Sequence, residues 1–361
     1  MSRVSAVQQL QNKNQKTNKK PITMKRKLLM AVVAMMSMAA WAQNIAVVSP
    51  SNTTTICQTL DEAISKATSG SVIYLPGGGF QVKDESKIDK KLTIMGVSHR
   101  GDTDNVDGAT VISGNLNFDK GSSGSAVLGV YLSGNINVGT ATDSVLNLTV
   151  KFCNVNSIQV KHRQSSGMWI NQCYLRESSN FGYCNVNLEN SILSSLGNVS
   201  GGTINHNVIT SCTNTFHCNY DRYGTYYSYA LSNVNSSVIT NNFLLNWGYG
   251  LYGGSACQIF SNCIGTSSWG SDQSPIVLDE GKSFNDIFYA NNGVKISSDY
   301  RIKEKTNKFI GIDHTYIGIE GGTTGFDSNA LAPIPRIVSK KVAEQTDGTG
   351  KLKVELTVKA Q

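Results

Sequence analysis

The sequence is short of charge, of proline and, through its middle, of carboxylates. Only 16% of its 361 residues are charged, against about a quarter in an ordinary soluble domain. Six prolines beside 34 glycines exclude a collagen-like or proline-rich linker chain. After the first 42 residues no stretch reaches the roughly 18 consecutive apolar residues of a membrane-spanning helix. No Cys-x-x-Cys pair with matching histidines occurs, which argues against zinc. Between Ser144 and Gly270 the acids are only Glu177, Glu189 and Asp221. The raw material of a paired-carboxylate active site is therefore nearly missing from the centre of the chain. With 40% hydrophobic residues the chain is nonetheless too apolar to be disordered.

The net charge of +7 invites a nucleic-acid reading, but its distribution removes it. The first 42 residues hold eight of the 32 basic side chains and none of the 25 acids, leaving 24 bases against 25 acids in residues 43–361. From Met24 the chain reads Met-Lys-Arg-Lys, then an apolar run from Leu28 to Ala40, then Ala40-Trp41-Ala42. A basic stretch, an apolar stretch and a small-x-small site predict a signal peptide over 24–42. Residues 1–23 read as an over-called extension. The expectation is an exported, periplasmic or extracellular protein, monomeric, with no nucleic-acid partner and no membrane span in its mature part.

Past the leader, Thr59 and Glu62 form a capping-box pair, and Leu60, Ala63, Ile64 and Ala67 share one helical face, with Gly70 placed to stop the helix. Short strands are expected at Val72–Leu75, Leu92–Met95 and Val111–Ile112. The pattern Thr59…Ala63-Ile64…Ala67…Gly70…Ile73…Pro76-Gly77 resembles the N-terminal cap of pectate-lyase-like right-handed parallel β-helix proteins, over about residues 57–114. The resemblance implies an all-β chain, a single-stranded right-handed parallel β-helix with an N-terminal α-helical cap over 43–310. Residues 311–361 read as a C-terminal β cap or appendage, and Leu352, Val354, Leu356 and Val358 alternate as in a half-buried edge strand.

The body supports a repeat. Phe152, Gln172, Asn190, Asn207, Asn242, Asn262 and Asn292 each precede a small or apolar residue at intervals of 20, 18, 17, 35, 20 and 30. Most of these equal one solenoid coil. Twenty-seven asparagines lie between Asn105 and Asn292, enough for side-chain amide ladders between coils about 4.8 Å apart. Cys153, Cys173 and Cys263 share the next position of that alignment, as small apolar fillers. Mostly reduced, buried thiols are expected, although Cys212 and Cys218 could close a loop.

The resemblance also implies a site chemistry that the residues carry only in fragments. Trp169-Ile170-Asn171-Gln172-Cys173 is similar to the Trp-Ile-Asp-His-Cys strand of pectate lyases, with amides where that motif has its acid and histidine. Arg301-Ile302-Lys303 matches one element of polygalacturonases without its companions. Catalytic candidates are Asp221, Arg222, His217, His206, Lys161 and Arg163. The late acids Asp272, Asp279, Glu280 and Asp286 form another cluster, read chiefly as surface turns. No cofactor is expected beyond a weak structural Ca²⁺ option at Asp102, Asp104 and Asp107.

The most distinctive feature outside the core is aromatic. Tyr220, Tyr223, Tyr226, Tyr227 and Tyr229 crowd one insertion, and Trp247, Tyr249, Tyr252 and Trp269 follow. Aromatic faces stack on sugar rings, and amides hydrogen-bond their rims. The alternative is a loop pinned by its own rings. The functional expectation is a carbohydrate-binding or surface-interaction protein without strong catalysis; the alternative is a polysaccharide lyase or glycoside hydrolase.

Overall fold

The computed structural model describes residues 44–100, 108–210, 218–220, 226–245, 249–266, 269–289, 299–327, 336–346 and 348–359. Strand accounts for 44% of the structure and helix for 7%, with the strands mainly in parallel sheets. Their pairing resolves into three parallel ladders that the chain visits in turn. The first contains Ser71–Tyr74, Leu92–Met95, Ala126–Leu128, Thr149–Lys151 and Met168–Asn171. It continues through the second halves of Ser179–Glu189 and Leu196–Asn205 to Val238–Thr240 and Gln258–Phe260. The second ladder runs from Gly78–Gln81 through Thr110–Ser113, Tyr131–Leu132, Asn154–Val155, Tyr174–Leu175, Ile192–Leu193 and Val208–Ile209 to Phe243–Leu244. The third starts at Lys87–Ile88 and Leu116–Phe118 and ends at Tyr226–Asn235 and Tyr249–Tyr252.

Alternation along each short strand sends every second residue inward. In the first ladder Ile73, Ile94, Val127, Val150, Ile170, Leu188, Ile204, Ile239 and Ile259 lie in register, all buried. Each such side chain stabilises the fold by roughly 1.5–3 kcal/mol through burial. An aliphatic stack of this kind ends in exposed apolar surface unless something covers it. At the start, Ile45–Val48 pairs antiparallel with Ser71–Tyr74, and helix α1 (Leu60–Lys66) buries Leu60, Ala63 and Ile64 against the stack. At the far end Trp269, only 7% exposed, packs into the same core.

Helix α1 begins as its sequence predicts: the Glu62 amide donates to Thr59 Oγ1, while the Glu62 carboxylate accepts from the Gln58 amide. It ends sooner than expected, capped at Ala67. Gly70, at φ +86°, shapes the next turn, where its amide reaches Lys91 O.

The corner between the first and second ladders corrects the repeat alignment. Two residues make this turn, and the first adopts a left-handed backbone in six consecutive rungs: Phe152, Gln172, Asn190, His206, Asn241 and Ser261, at φ between 44° and 58°. The second points inward: Cys153, Cys173, Ser191, Asn207, Asn242 and Asn262, all buried. The predicted row therefore mixed two registers, with Asn207, Asn242 and Asn262 one position beyond Phe152, Gln172 and Asn190. Cys263 likewise stands one position beyond Cys153 and Cys173, bridging Phe243. The reason is that the third-to-first turns vary in length while this corner does not, so intervals alone do not fix the phase.

The inward row carries a hydrogen-bonded amide ladder. Asn207 Nδ2 donates to Asn242 Oδ1 at 3.1 Å, and Asn242 Nδ2 to Asn262 Oδ1 at 2.8 Å. The same oxygens accept the backbone amides of Asn207 and Asn242, which the turn leaves without ladder partners. Asp272 closes the series, its carboxylate accepting from Asn262 N, Asn262 Nδ2 and Ser261 N.

A second apolar cluster lies outside the second ladder. The outward residues Ile192, Val208 and Phe243 are buried under Ile276, Leu278, Phe284, Phe288, Phe309, Ile317 and Ile319. The covering chain is held by the left-handed corner itself. Asn241 Oδ1 accepts from Ile312 N, and Asn190 Nδ2 donates to Gly321 O at 2.8 Å. Gln172 Oε1 accepts from Asp327 N, also at 2.8 Å. This tail thus runs back along the corner, one rung at a time. Beyond it, Arg336–Thr346 and Leu352–Lys359 form their own two-stranded antiparallel sheet. Leu352 and Val354 are 48% and 49% exposed there, so these two positions are not the buried face that the alternation predicts.

Candidate functional site

The proposed catalytic residues fall into two separate places or outside the description. Asp221, Arg222, His217, Tyr223 and Trp247, like the Ca²⁺ candidates Asp102, Asp104 and Asp107, lie outside the described residues. For Tyr220, Tyr226, Tyr227 and Tyr249 the strand placement is described but not the side chain.

His206 sits at the left-handed corner and is 1% exposed. Its Nε2 lies 2.7 Å from Asp313 Oδ2, and Thr315 Oγ1 bonds both carboxylate oxygens of Asp313 at 3.0 Å. Burial pushes the Asp313 carboxyl up, but the bonds from His206 and Thr315 outweigh it and hold the carboxyl below its usual range. Gly321 lies flat on the imidazole; a Cβ there would stand 2.4 Å from His206 Nδ1. The ring is buried, and its bond to Asp313 fastens the tail.

Lys161 and Arg163 lie at the other corner, between the third and first ladders, so they do not converge with His206. Lys161 lines a cleft of about 160 Å³ with Lys87, Asn117, Asp119 and Asn137. Lys87 pairs with Asp119 at 3.2 Å there. A second cavity of about 120 Å³ brings together Asp279, Asp286 and Glu304 with Lys282 and Lys308. Two of those acids already have partners: Asp279 pairs with Lys308, and Asp286 caps the short helix Phe284–Ile287 through Ser283. Asp272 is the buried end of the amide ladder. Asp272, Asp279 and Asp286 of the late acidic cluster therefore each serve a structural contact. Among the described residues no group of three or more His, Cys, Asp or Glu is placed to hold a metal ion, and no helix is long and apolar enough to cross a membrane.

The described aromatic candidates divide in the same way. Trp269 belongs to the core. Trp169, Tyr183 and Tyr252 are 43%, 38% and 43% exposed, and all three stand on the side formed by the third ladder, the first ladder and the turn between them. Each is buttressed. Lys151 Nζ lies 3.1 Å from the Trp169 ring centroid, and Arg163 covers Tyr183 at 5.4 Å. Tyr229 packs on Tyr252 at 4.9 Å between centroids. Partial burial lowers the Lys151 pKa, against a smaller opposing pull from Glu189. Outward amides lie between Tyr183 and Tyr252, where Asn233 Nδ2 donates to Asn198 Oδ1, and on the earlier rungs, where Asn137 Nδ2 donates to Asn117 Oδ1.

Tyr183 was not singled out by the sequence reading. Its signal is local: a tyrosine after Gly182 in the Phe-Gly-Tyr-Cys stretch, held at φ +66° where the strand Ser179–Glu189 shifts register.

Comparison of the chain with family models, with curated proteins and with solved structures returned no match.

Proposed function

We propose that this chain is an exported single-stranded right-handed parallel β-helix protein of the pectate-lyase-like kind that binds carbohydrate at a cell surface or in a matrix, without strong catalysis. The observation that carries the reading is the exposure of Trp169, Tyr183 and Tyr252 on one amide-lined side, each ring backed by a neighbour. Solvent-facing aromatic rings with fixed orientation offer a sugar its apolar face at little entropic cost, and amides offer its hydroxyls both donors and acceptors. The parallel order of the three ladders and the helical cap support the β-helix reading; the leader supports export.

The lyase or hydrolase alternative draws on the cleft at Lys161, which mixes lysines with Asp84, Glu85 and Asp119. Against it, Asp119 is tied to Lys87. A glycan array with the mature chain tests the binding reading, and an assay of acidic polysaccharides for unsaturated products tests catalysis. Retention on at least one glycan class without product absorbance is expected. Product formation would overturn the non-catalytic part.

A further inference from the structure

The turn from the third to the first ladder holds a second left-handed row. Tyr183, Asn198 and Asn233 immediately precede Cys184, Val199 and Val234, which are register partners. Gly253 follows Tyr252, itself the partner of Ser232. All four corner residues have positive φ: 66°, 57°, 50° and 65°. The corner is thus continuous over four rungs and has an exposed tyrosine at each end, Tyr183 at one and Tyr252 at the other. Three rung steps separate the two, about 14 Å at strand spacing.

Between the tyrosines the surface is amide. Asn233 Nδ2 donates to Asn198 Oδ1, and Asn198 Nδ2 to Asn180 Oδ1, each at 3.0 Å. An asparagine amide has two N–H groups and two oxygen lone pairs, so an end-to-end chain of this kind uses one of each and turns the other outward. At Gly253 the chain passes close to the Asn233 oxygen, since a Cβ at that position would lie 2.5 Å from it. Among the described residues no carboxylate belongs to the row, and the cation beside it, Arg163, is engaged on the Tyr183 ring.

Resting on the carbohydrate reading above, we infer that this row binds an uncharged linear glycan lying along the ladder axis, with one sugar ring on Tyr183, another on Tyr252 and their hydroxyls on Asn198 and Asn233. Two stacking points at a fixed separation make the bound chain length a property of the site. A disaccharide reaches one tyrosine; a chain that spans both gains the second contact without a second loss of translational freedom.

The test is calorimetric titration of the mature chain with neutral β-1,4-linked gluco- and xylo-oligosaccharides of two to six units, and with oligogalacturonates as the charged comparison. Affinity for the neutral series should rise with length until both tyrosines are spanned and then level off. Tyr183→Asn, a residue at ease in left-handed backbone, and Tyr252→Ala should each weaken the longer ligands about tenfold while leaving the disaccharides within about threefold. Unchanged melting temperatures identify folded variants, and Tyr252→Leu replaces Tyr252→Ala if the latter melts early. If neutral glycans bind equally well to both variants, or only oligogalacturonates bind, the row is not the site and the carbohydrate reading stands. Absence of binding to every glycan of both series and of the array would remove that reading together with this one.

Discussion

His206 Nε2 meets Asp313 Oδ2 at 2.7 Å across 107 residues of sequence, joining the fourth of six left-handed corner residues to the tail that covers the second ladder. The imidazole is buried and the carboxylate about one-third exposed. The bond fixes where the tail crosses the corner. Asp313→Ala leaves a buried ring nitrogen without its carboxylate and should lower stability by about 1–3 kcal/mol. Urea denaturation measures the loss, and limited proteolysis should show earlier cleavage within 299–327. Unchanged cleavage would mean that the tail is held by its apolar cover alone.

Gly321 supplies a second test of the same contact. A Cβ there would come within 1.8 Å of Tyr316 O as well as against the His206 ring. Gly321→Ala must displace backbone, so a loss of more than about 2 kcal/mol is expected. Gly325→Ala, whose Cβ would stand 3.2 Å from Glu320 O, should be much milder. Equal effects would contradict the geometry.

The amide ladder should behave as a coupled unit. Asn242→Ala removes the acceptor of Asn207 N and Nδ2 and the donor to Asn262 Oδ1 and Ile204 O. About 3 kcal/mol of destabilisation is expected from the buried groups left unpaired. The double variant Asn207→Ala/Asn242→Ala should lose less than the sum of the singles, because they share bonds. Strict additivity in a denaturation cycle would argue against the ladder.

Acid should weaken the fold in two steps. Burial holds His99 at about 4, below its ordinary 6.5; its Nδ1 lies 3.1 Å from Phe152 O, and its Nε2 has no partner. The unfolded chain therefore takes up this proton first. Stability present above pH 6.5 is lost as the pH falls toward 4, by up to about 3 kcal/mol. Carboxylates held low, such as Asp313 and Asp299, lose their contribution only from about pH 4 downward. His99→Gln should flatten the upper step and spare the lower one, as read by urea midpoints from pH 7 to pH 3.

The six cysteines whose side chains are described are all free, and among them only Cys257 is not fully buried. Burial pushes the thiols of Cys184 and Cys263 up to about 12. Native-state alkylation followed by peptide mass spectrometry should modify Cys257 among these six and leave the other five until denaturant is added.

Much of the architecture was legible because it depends on local pattern. The α1 cap, the short β-branched strands and the asparagine count all follow from residues within one coil. What escaped was the phase. Asn190 and Asn207 look alike in sequence, yet one faces the tail and the other the interior ladder, since a two-residue turn separates the two roles by a single position. The apolar outward residues Ile192, Val208 and Phe243 were a readable sign that the second ladder is covered, but not of what covers it. His206 drew notice as a rare histidine; its partner Asp313 lay too far along the chain to be paired by spacing. Tyr252 was visible as one of many tyrosines, whereas Tyr183 becomes significant only once the bend aligns it with Asn198.

The tail along the corner also acts as a ruler. Ile312, Asp313, Gly321 and Asp327 meet Asn241, His206, Asn190 and Gln172 in strict reverse order. Loss or gain of one coil between Gln172 and Asn241 would put every downstream contact one rung out of step. Coils before Phe152 carry no tail contact of this kind among the described residues, and a repeat can be added or removed there without disturbing it. The molecule thus has one segment whose length is counted and one whose length is free to drift.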